Sequence, residues 1–344
     1  GAGSAFFGLR MLEPNIDLER DGANGEPYDP RVRQPGRTGN VSNPLYTAYL
    51  TDNTIDRTRF TGFGKVNFRV LDWLTAEANA NFDTGNNRSK NFTPLGFTNS
   101  SGNVDDGSLF MASSETRAYN LGASLTSVRR FGDFTNTTKA AWVYEDQRNL
   151  QLTVFAPSFQ VPRVPEFSGI VRGPSAPVAP GSFTQDIRNN NVFLVSTFDY
   201  KEKLIVDGLV RQDQSSLFGK DQRSAIYGRG SIAYRVSEDF TLPGVDEFKL
   251  RASFGTAGLR PVYDAQYEQF ALVGGVPVKV TLGNPNLRPA QSRETEVGFN
   301  IDFLRNYTLE YSYSDKLTTD QILQVPVSAV TGYQNQWLNA GSLK

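Results

Sequence analysis

The residues of this chain that could do chemistry are carboxylates, amides, hydroxyls and aromatic rings, because the 344-residue sequence contains no histidine and no cysteine. Without histidine, His-based catalytic triads are excluded and a common metal ligand is missing. Without cysteine, disulfide bonds and thiolate metal sites are excluded. No serine lies three residues before a lysine, so the Ser-x-x-Lys nucleophile pattern is absent too. We therefore predict that the chain is not an enzyme and has no catalytic residue.

Two pairs of adjacent carboxylates, Asp105–Asp106 and Glu238–Asp239, come nearest to an acid–base or calcium site. Both pairs stand in polar stretches, where acidic residues ordinarily serve as solvated turn residues. The acidic segment 21–29 does not have the spacing of an EF-hand loop. The sequence therefore predicts neither a metal nor a cofactor.

Four aromatic residues stand in long polar segments, where a binding site is the alternative to simple packing. They are Tyr263, Tyr267, Tyr333 and Trp337. Rings with a polar tip can stack on sugars or anchor a partner protein. Most loop aromatics pack beneath their own loop instead. We treat these four as candidate contacts for a substrate or a partner.

The elements that would position these residues are β-strands, because apolar side chains recur at every second position. In one segment Val66, Phe68 and Val70 alternate with polar residues such as Lys65 and Arg69. The same rhythm returns along the chain in segments of about ten residues, the length of a membrane-spanning strand. It predicts about ten strands joined as antiparallel hairpins.

The predicted connections alternate in length. Short turns fall near 71–73, 130–133, 201–203 and 304–306, whereas long polar stretches cover 85–115, 147–189, 256–291 and 317 onward. Short turns on one side and long loops on the other are typical of outer-membrane barrels. We predict an all-β chain that forms part of an antiparallel transmembrane β-barrel, about ten to twelve strands of a larger barrel, with the charged residues facing the lumen.

Composition is compatible with this fold. The mean hydropathy of -0.41 resembles that of a soluble protein, and barrels show such values because lipid-facing and lumen-facing residues alternate. A net charge of -1 provides no basic surface for nucleic acid, so we expect no nucleic-acid partner. We expect residues 1–56 to be a loop-rich segment with one strand at best, and residues 57–344 to be barrel. The chain begins without Met and without an export signal, so we expect a fragment.

Four ordered motifs give the chain a family resemblance. They are DGLVRQDQSSLFG at 207–219, LRASFGTAG at 250–258, GNPNLRP at 283–289 followed by SRE at 292–294, and YSDK at 313–316 followed by TDQI at 319–322. In this order they resemble the SusC/RagA-like TonB-dependent outer-membrane transporters. The resemblance covers at least residues 190–344, and more loosely everything from about 57.

The resemblance implies a barrel of 22 strands around a plug domain, with a TonB box before the plug. None of those N-terminal parts is expected here, and neither are the closing C-terminal strands. For the whole transporter it implies TonB-dependent import of a bulky nutrient, a glycan or an oligopeptide, across the bacterial outer membrane. The implied partners are a SusD-like surface lipoprotein, TonB with ExbB and ExbD, and the lipid of the outer membrane.

Two other classes of protein share parts of this pattern. A passive outer-membrane porin or an adhesin-type barrel would have the same strand and loop rhythm, but would not explain the four motifs. A soluble all-β glycan-binding module would place the polar residues of each strand toward water. The import function is the hypothesis that accounts for both the alternation of strands and loops and the four motifs.

Overall fold

The structure is a computed structural model that describes residues 9, 12, 14–23, 25–33, 40–99, 101–171, 173 and 177–344. No helix in these ranges is long and apolar enough to span a membrane. Strands and one short α-helix, α1 (Pro44–Leu50), make up most of the described chain. The strands are β1 (Arg31–Arg33), β2 (Asn40–Ser42), β3 (Asp52–Leu71), β4 (Leu74–Thr93), β5 (Ser108–Phe131), β6 (Phe134–Pro157), β7 (Ala179–Tyr200), β8 (Leu204–Ser215), β9 (Ser224–Arg235), β10 (Val245–Leu259), β11 (Gln269–Val273), β12 (Val276–Leu282), β13 (Ala290–Phe303), β14 (Tyr307–Thr319), β15 (Ile322–Pro326), β16 (Asn335–Asn339) and β17 (Ser342–Leu343).

The main sheet has eleven strands in the order β17-β14-β13-β10-β9-β8-β7-β6-β5-β4-β3. Strands adjacent in this order are also neighbours along the chain, apart from the insertion of β11 and β12 between β10 and β13 and of β15 and β16 before β17. The pairings from β7 to β14 are antiparallel. Among the described residues the sheet is open, with β3 and β17 at its ends. The eleven strands agree with the predicted ten to twelve.

The register sorts side chains onto two faces, as the alternation predicts. One row of directly paired residues is almost wholly apolar; it consists of Phe198, Val206, Ile232, Ala252, Val297 and Tyr313. We call the face that bears this row the apolar face. The neighbouring row consists of Thr197, Asp207, Ser231, Ser253, Glu296 and Ser314, and it defines the polar face.

Ion pairs follow the polar face from strand to strand. Arg229 Nη2 lies 2.7 Å from Asp207 Oδ2, and Lys65 Nζ lies 2.7 Å from Glu77 Oε2. Arg251 binds Glu296 at 2.8 Å across one strand boundary. In a barrel these charges line the lumen, where water and polar groups can solvate them.

The four predicted short turns are confirmed. β3 and β4 are separated by residues 72–73, β5 and β6 by 132–133, β7 and β8 by 201–203, and β13 and β14 by 304–306. Two of these turns place consecutive residues in the left-handed region, with φ of 53° and 58° at Lys201 and Glu202 and of 51° and 65° at Leu304 and Arg305. Such paired positive φ values match the twist of a tight hairpin.

The predicted long loops were wrong in their extent. β4, β5 and β6 have 20, 24 and 24 residues, so much of 85–115 and 147–189 is strand. The segment 256–291 likewise contains the end of β10 together with β11 and β12. Backbone hydrogen bonds continue the ladder where both faces are polar, and there the apolar alternation that marks a strand in the sequence disappears.

The chain divides into two compact units, of which the first contains Gly1–Phe60, Thr84–Arg117 and Arg148–Thr184. Its small core is formed by Phe92, Leu109, Ala156, Phe159 and Ile170. The single strand expected in 1–56 is replaced by β1, β2, α1 and the first residues of β3, whereas residues 1–8 and 34–39 lie outside the described ranges. Strands of three residues are too short to show alternation in the sequence.

The second unit contains Thr61–Asp83, Ala118–Gln147 and Gln185–Lys344. It holds β8 to β17, of which four strands form a second sheet in the order β11-β12-β16-β15. We call this the loop sheet. All the residues of the site described below belong to this unit.

Candidate functional site

The loop sheet is built from two chain segments that the sequence predicts as loops. β11 and β12 form a hairpin, and β15 and β16 pair antiparallel. β12 and β16 join the two halves through a short parallel pairing in which Thr281 faces Asn335. These strands have five to seven residues, so alternation could not distinguish them from irregular loop.

Two of the family motifs hold the loop sheet to the main sheet. The amide of Gly219, in the 207–219 motif, donates a 2.8 Å hydrogen bond to the carbonyl of Leu287, in the 283–289 motif. The amide of Asp221 donates to Pro285 at 3.0 Å. Phe218 and Leu287 are almost wholly buried beside this contact. The motifs therefore have a structural role in joining the loop sheet to the wall.

Asn339 completes this attachment from β16. Its Oδ1 accepts a hydrogen bond from the amide of Arg288 at 2.9 Å, and its Nδ2 donates to the carbonyls of Arg288 at 2.8 Å and Asp320 at 3.0 Å. Asn284 donates through Nδ2 to the carbonyl of Trp337 at 2.9 Å. The carboxamide of Asn339 thus pairs with three backbone groups of residues that lie outside the strands.

The structure brings two of the four predicted aromatic residues together. The rings of Tyr263 and Tyr267 lie 6.3 Å apart, and Tyr267 is exposed. Among the described residues, no ring contact joins them to Tyr333 or Trp337. Trp337 is half-buried in β16, opposite Gln324.

Tyr333 is buried and contacts residues of the loop sheet. Its ring is 6.4 Å from that of Phe270, and Lys279 Nζ lies 4.8 Å from the ring centroid. Burial raises the pKa of the Tyr333 hydroxyl, and a hydrogen bond with Glu268 raises it further. The neutral phenol is therefore the form present at neutral pH, packed between an aromatic ring and a cation.

The hairpin of β11 and β12 exposes apolar side chains at its tip. Leu272, Val273 and Val276 have 75%, 62% and 62% of their surface exposed, and Phe270 is exposed as well. Gly274 and Gly275 form the turn with φ of 59° and 82°. We call these residues the apolar hairpin. A contiguous exposed apolar patch of this kind is typical of a protein or ligand contact surface.

A second group of residues, which the sequence reasoning missed, lies on the polar face where β6 to β9 approach their loops. We call it the asparagine cluster; it consists of Glu145, Asn189, Asn191, Asp213, Ser215 and Tyr227. Asn189 Nδ2 donates to Glu145 Oε2 at 2.9 Å, and Ser215 Oγ donates to Asn189 Oδ1 at 2.6 Å. Asn191 faces Asp213 across the strand pair. Arg211 binds Asp213, which places a cation beside the cluster.

Two polar atoms in the asparagine cluster are buried without a partner. Asn191 is 2% exposed and Tyr227 is 7% exposed. Neither Asn191 Oδ1 nor the Tyr227 hydroxyl has a hydrogen-bond partner among the described residues. An unsatisfied buried polar group costs about 1–3 kcal/mol, so such groups suit a ligand that supplies the missing hydrogen bond. The run of three asparagines at 189–191 was the signal in the sequence, because asparagine is uncommon within strands.

An antiparallel sheet with one apolar and one polar face, short turns at one end and built-up loops at the other is the wall of an outer-membrane β-barrel. The sequence profile described as "TonB dependent receptor-like, beta-barrel" matches residues 12–344, so the chain belongs to the TonB-dependent receptor β-barrel family. This is a family of outer-membrane transporters and receptors rather than of enzymes, and the chain is an outer-membrane protein.

Two TonB-dependent receptors of Formosa agariphila are similar to this chain at low sequence identity, which agrees with the family assignment. The TonB-dependent receptor P39 of Formosa agariphila is 22% identical over 99% of this chain, which covers 33% of that protein. The TonB-dependent receptor P3 of the same organism is 24% identical over 64% of this chain and 23% of its own length. The chain thus spans a third or less of the length of these relatives.

Solved structures show the same fold. The RagAB peptide transporter superposes with a TM-score of 0.80 at 18% identity, covering 93% of this chain and 36% of that chain. The ferric-catecholate import receptor Fiu of E. coli K12 gives a TM-score of 0.52 at 11% identity, covering 86% and 44% of the two chains. At these identities the similarity concerns the fold alone.

Proposed function

We propose that this chain forms part of the barrel wall of a SusC/SusD-type transporter, which imports a bulky nutrient across the outer membrane with energy delivered through TonB. The asparagine cluster is the observation that carries the proposal. A passive, water-filled pore keeps its polar side chains in contact with water. Buried and unpaired groups at the loop end of the polar face instead suit a passage that binds its cargo.

The proposed cargo is a glycan or an oligopeptide. Asn191 Oδ1 accepts a hydrogen bond, and the Tyr227 hydroxyl can donate or accept one. Sugar hydroxyls and peptide amides both offer the complementary groups. The similarity in fold to the RagAB peptide transporter supports the oligopeptide. Tyr263, Tyr267, Tyr333 and Trp337 are proposed contacts nearer the entrance. Tyr333 and Tyr227, each 7% exposed, and Asn191, 2% exposed, would have to be uncovered as the cargo binds.

The proposed partners are a SusD-like surface lipoprotein and TonB with ExbB and ExbD. The apolar hairpin supports the lipoprotein, since Leu272, Val273 and Val276 present an apolar tip that a partner protein could cover. The energy from TonB would act on the whole transporter, of which this chain is one part.

The proposal assigns residues 57–344 to the barrel wall and residues 1–56 to a loop-rich segment attached to it. β3 already begins at Asp52, a few residues before that boundary. A plug domain inside the barrel would lie against the polar face, where the ion pairs of Lys65 with Glu77 and of Arg229 with Asp207 present charges of both signs.

The experiment is an uptake assay with the whole transporter in an outer membrane that also contains its lipoprotein. Labelled oligopeptides and labelled glycans are offered to cells with and without functional TonB. We expect accumulation of one of the two labels, and only where TonB works. In the Tyr227→Phe variant, which loses only a hydroxyl, we expect uptake at limiting substrate to fall about tenfold, equivalent to about 1.4 kcal/mol.

Tyr311→Phe is the matched control, because Tyr311 is exposed on the apolar face opposite Phe299. Its uptake should equal that of the wild type. Uptake that persists without TonB would contradict the proposal in favour of a passive porin. Equal uptake by wild type and Tyr227→Phe would remove the asparagine cluster from the passage.

A further inference from the structure

A groove runs over the apolar face of the second unit. Its volume is about 540 Å³, within the range of about 300–1,000 Å³ that is usual for ligand sites. Its lining includes the small residues Ala78, Ala123 and Ala140 and the large residues Phe68, Leu125 and Trp142, together with Glu77 and Ser124. Three adjacent strands, β4, β5 and β6, thus each contribute a small residue to a groove that is mostly apolar. On a barrel this face is in contact with lipid chains.

A polar cleft of about 440 Å³ lies next to the groove, toward the loop end of the same face. Its lining includes Tyr144, Arg188, Asn190, Gln214, Ser216 and Arg223, together with Asn189 and Ser215 of the asparagine cluster. Asn190 stands two residues from Val192, which lines the groove, and Tyr144 stands two residues from Trp142. Residues two apart in a strand share a face. The indole Nε1 of Trp142 donates to Asn190 Oδ1 at 2.6 Å, so groove and cleft meet at one hydrogen bond.

The cleft is positively charged. The guanidinium of Arg188 uses Nε to bind Asp146 Oδ2 at 2.9 Å, while its side chain remains 67% exposed. Arg223 makes no ion pair in the part of the chain that the structure describes. Asp146 also accepts a hydrogen bond from the Tyr144 hydroxyl at 3.1 Å, which fixes its carboxylate beside Arg188. Two guanidinium groups and one carboxylate leave an excess of positive charge for an anion, and guanidinium binds phosphate in a bidentate manner.

The cleft stands at the height of lipid headgroups. At the short-turn end, the rings of Phe134 and Tyr200 lie 4.6 Å apart and mark one edge of the apolar band. About ten residues separate Tyr200 from Asn190 along β7; with a rise of about 3.3 Å and a tilt of about 40° they span about 25 Å. That is the height of the apolar band of an outer-membrane barrel. Trp142 and Tyr144 mark the other edge, in the leaflet on the side of the long loops.

From these observations we propose that an anionic lipid of the outer leaflet binds here, with its phosphate against Arg188 and Arg223 and one acyl chain in the alanine-lined groove. Neither feature alone would select this ligand. The groove alone could bind any acyl chain, and the cleft alone could bind any phosphate. Because the two are continuous across Trp142 and Asn190, together they select a molecule that carries both an acyl chain and a phosphate. The inference depends on the barrel fold and not on the proposed import function.

The experiment measures lipid retained by the purified whole transporter after exhaustive detergent exchange, by native mass spectrometry. Lipid A, a phosphorylated and acylated glycolipid, is the probe; phosphatidylcholine and inorganic phosphate are the comparisons. We expect wild type to retain lipid A in preference to phosphatidylcholine. The Arg188→Gln/Arg223→Gln variant should retain at least about tenfold less lipid A, and Arg223→Gln alone should show a smaller loss. Millimolar inorganic phosphate should leave the retained lipid A largely in place.

The matched control is Arg130→Gln/Arg305→Gln, which removes two arginine charges at the short-turn end. It should retain lipid A as wild type does. Heat-modifiable migration on gels would verify that every variant is assembled. The Arg223→Gln variant tests the cleft without breaking any described ion pair. Equal retention by wild type and by both arginine variants of the cleft would overturn the proposal, as would equal retention of phosphatidylcholine by wild type. Displacement of lipid A by inorganic phosphate would overturn the role of the groove.

Discussion

The backbone of Gly219 is hydrogen-bonded to that of Leu287 at 2.8 Å, at a point where no side chain fits on residue 219. A Cβ atom there would lie 2.5 Å from the amide nitrogen of Leu287 and 2.7 Å from its carbonyl oxygen. Because both atoms belong to the backbone, neither can turn aside. Together with the hydrogen bond from the Asp221 amide to the Pro285 carbonyl, this contact links the β8–β9 connection to the segment that precedes β13, and so the loop sheet to the wall.

Replacing Gly219 with alanine should therefore detach the loop sheet while leaving the wall assembled. Overpacking of this kind costs about 1–3 kcal/mol. Limited proteolysis of the assembled transporter should show faster cleavage within 260–289 and 320–341. Gly64→Ala is the control, since a Cβ at Gly64 meets nothing within 4 Å. Wild-type resistance to protease in Gly219→Ala would show that the contact does not hold the loop sheet.

The apolar face should reject charge much more strongly than the polar face. Val297, which pairs with Ala252 and Tyr313, belongs to the apolar row. Val297→Arg should destabilise the barrel by about 2–4 kcal/mol near the bilayer midplane. The fraction of protein that shows heat-modifiable migration would fall accordingly. Ser253→Arg, on the neighbouring polar row, should assemble normally, and equal loss in the two variants would contradict the assignment of the faces.

The turn after β7 should have a stability that depends on pH. Lys203 binds Asp239, and the Tyr234 hydroxyl donates to the same carboxylate at 2.9 Å. The hydrogen bond from Lys203, then that from Tyr234, lowers the pKa of Asp239 below its ordinary 3.8, and the same pairing raises the pKa of Lys203 above 10.5. A carboxylate whose pKa is lowered by folding stabilises the fold at pH values above its unfolded pKa, and this stabilisation is lost as the pH falls through the folded pKa. A lysine whose pKa is raised by folding stabilises the fold at pH values below its unfolded pKa, and this stabilisation is lost as the pH rises through the folded pKa.

We therefore expect protection of the Arg235 amide, which donates to the Lys203 carbonyl at 2.8 Å, to be constant near neutral pH. Its protection factor in hydrogen exchange should decline below about pH 4 and above about pH 10. Asp239→Asn should lower the neutral value and remove the acid decline. An unchanged acid decline in Asp239→Asn would assign the effect to another carboxylate.

The apolar hairpin should govern affinity for the proposed lipoprotein. Leu272→Asp places a charge at its tip, and we expect the dissociation constant for the lipoprotein to rise about tenfold or more, as for an apolar anchor. Val330→Asp is the control, because Val330 is 95% exposed but lies outside the hairpin, between β15 and β16. Surface plasmon resonance with the purified partners would measure both. Equal affinities would place the lipoprotein contact elsewhere.

The wall was predictable because membrane and lumen impose opposite demands on alternate residues. Val66, Phe68 and Val70 stand out against Lys65 and Arg69, and this contrast gave the strands, their faces and the short turns. Beyond the apolar band water surrounds both faces, so the contrast vanishes. The extension of β4 to Thr93 and of β6 to Pro157 was therefore missed.

The candidate site was less predictable, since it depends on contacts between residues far apart in sequence. Asn191 and Asp213 become neighbours only through the register of β7 and β8. Thr281 and Asn335 become neighbours only when the loop sheet forms. Of the aromatic residues singled out by type, Tyr263 and Tyr267 have neighbouring rings, whereas the burial of Tyr333 could not be predicted from the sequence.

The strand order of the main sheet has a kinetic consequence. Because consecutive strands from β3 to β10 pair with their immediate neighbours, each hairpin closes over a short stretch of chain and can form soon after its residues become available. The loop sheet is different, for β12 meets β16 only after β13 and β14 have been traversed. The wall can therefore grow one hairpin at a time, with the loop sheet as a late-folding element whose completion waits for the strands beneath it.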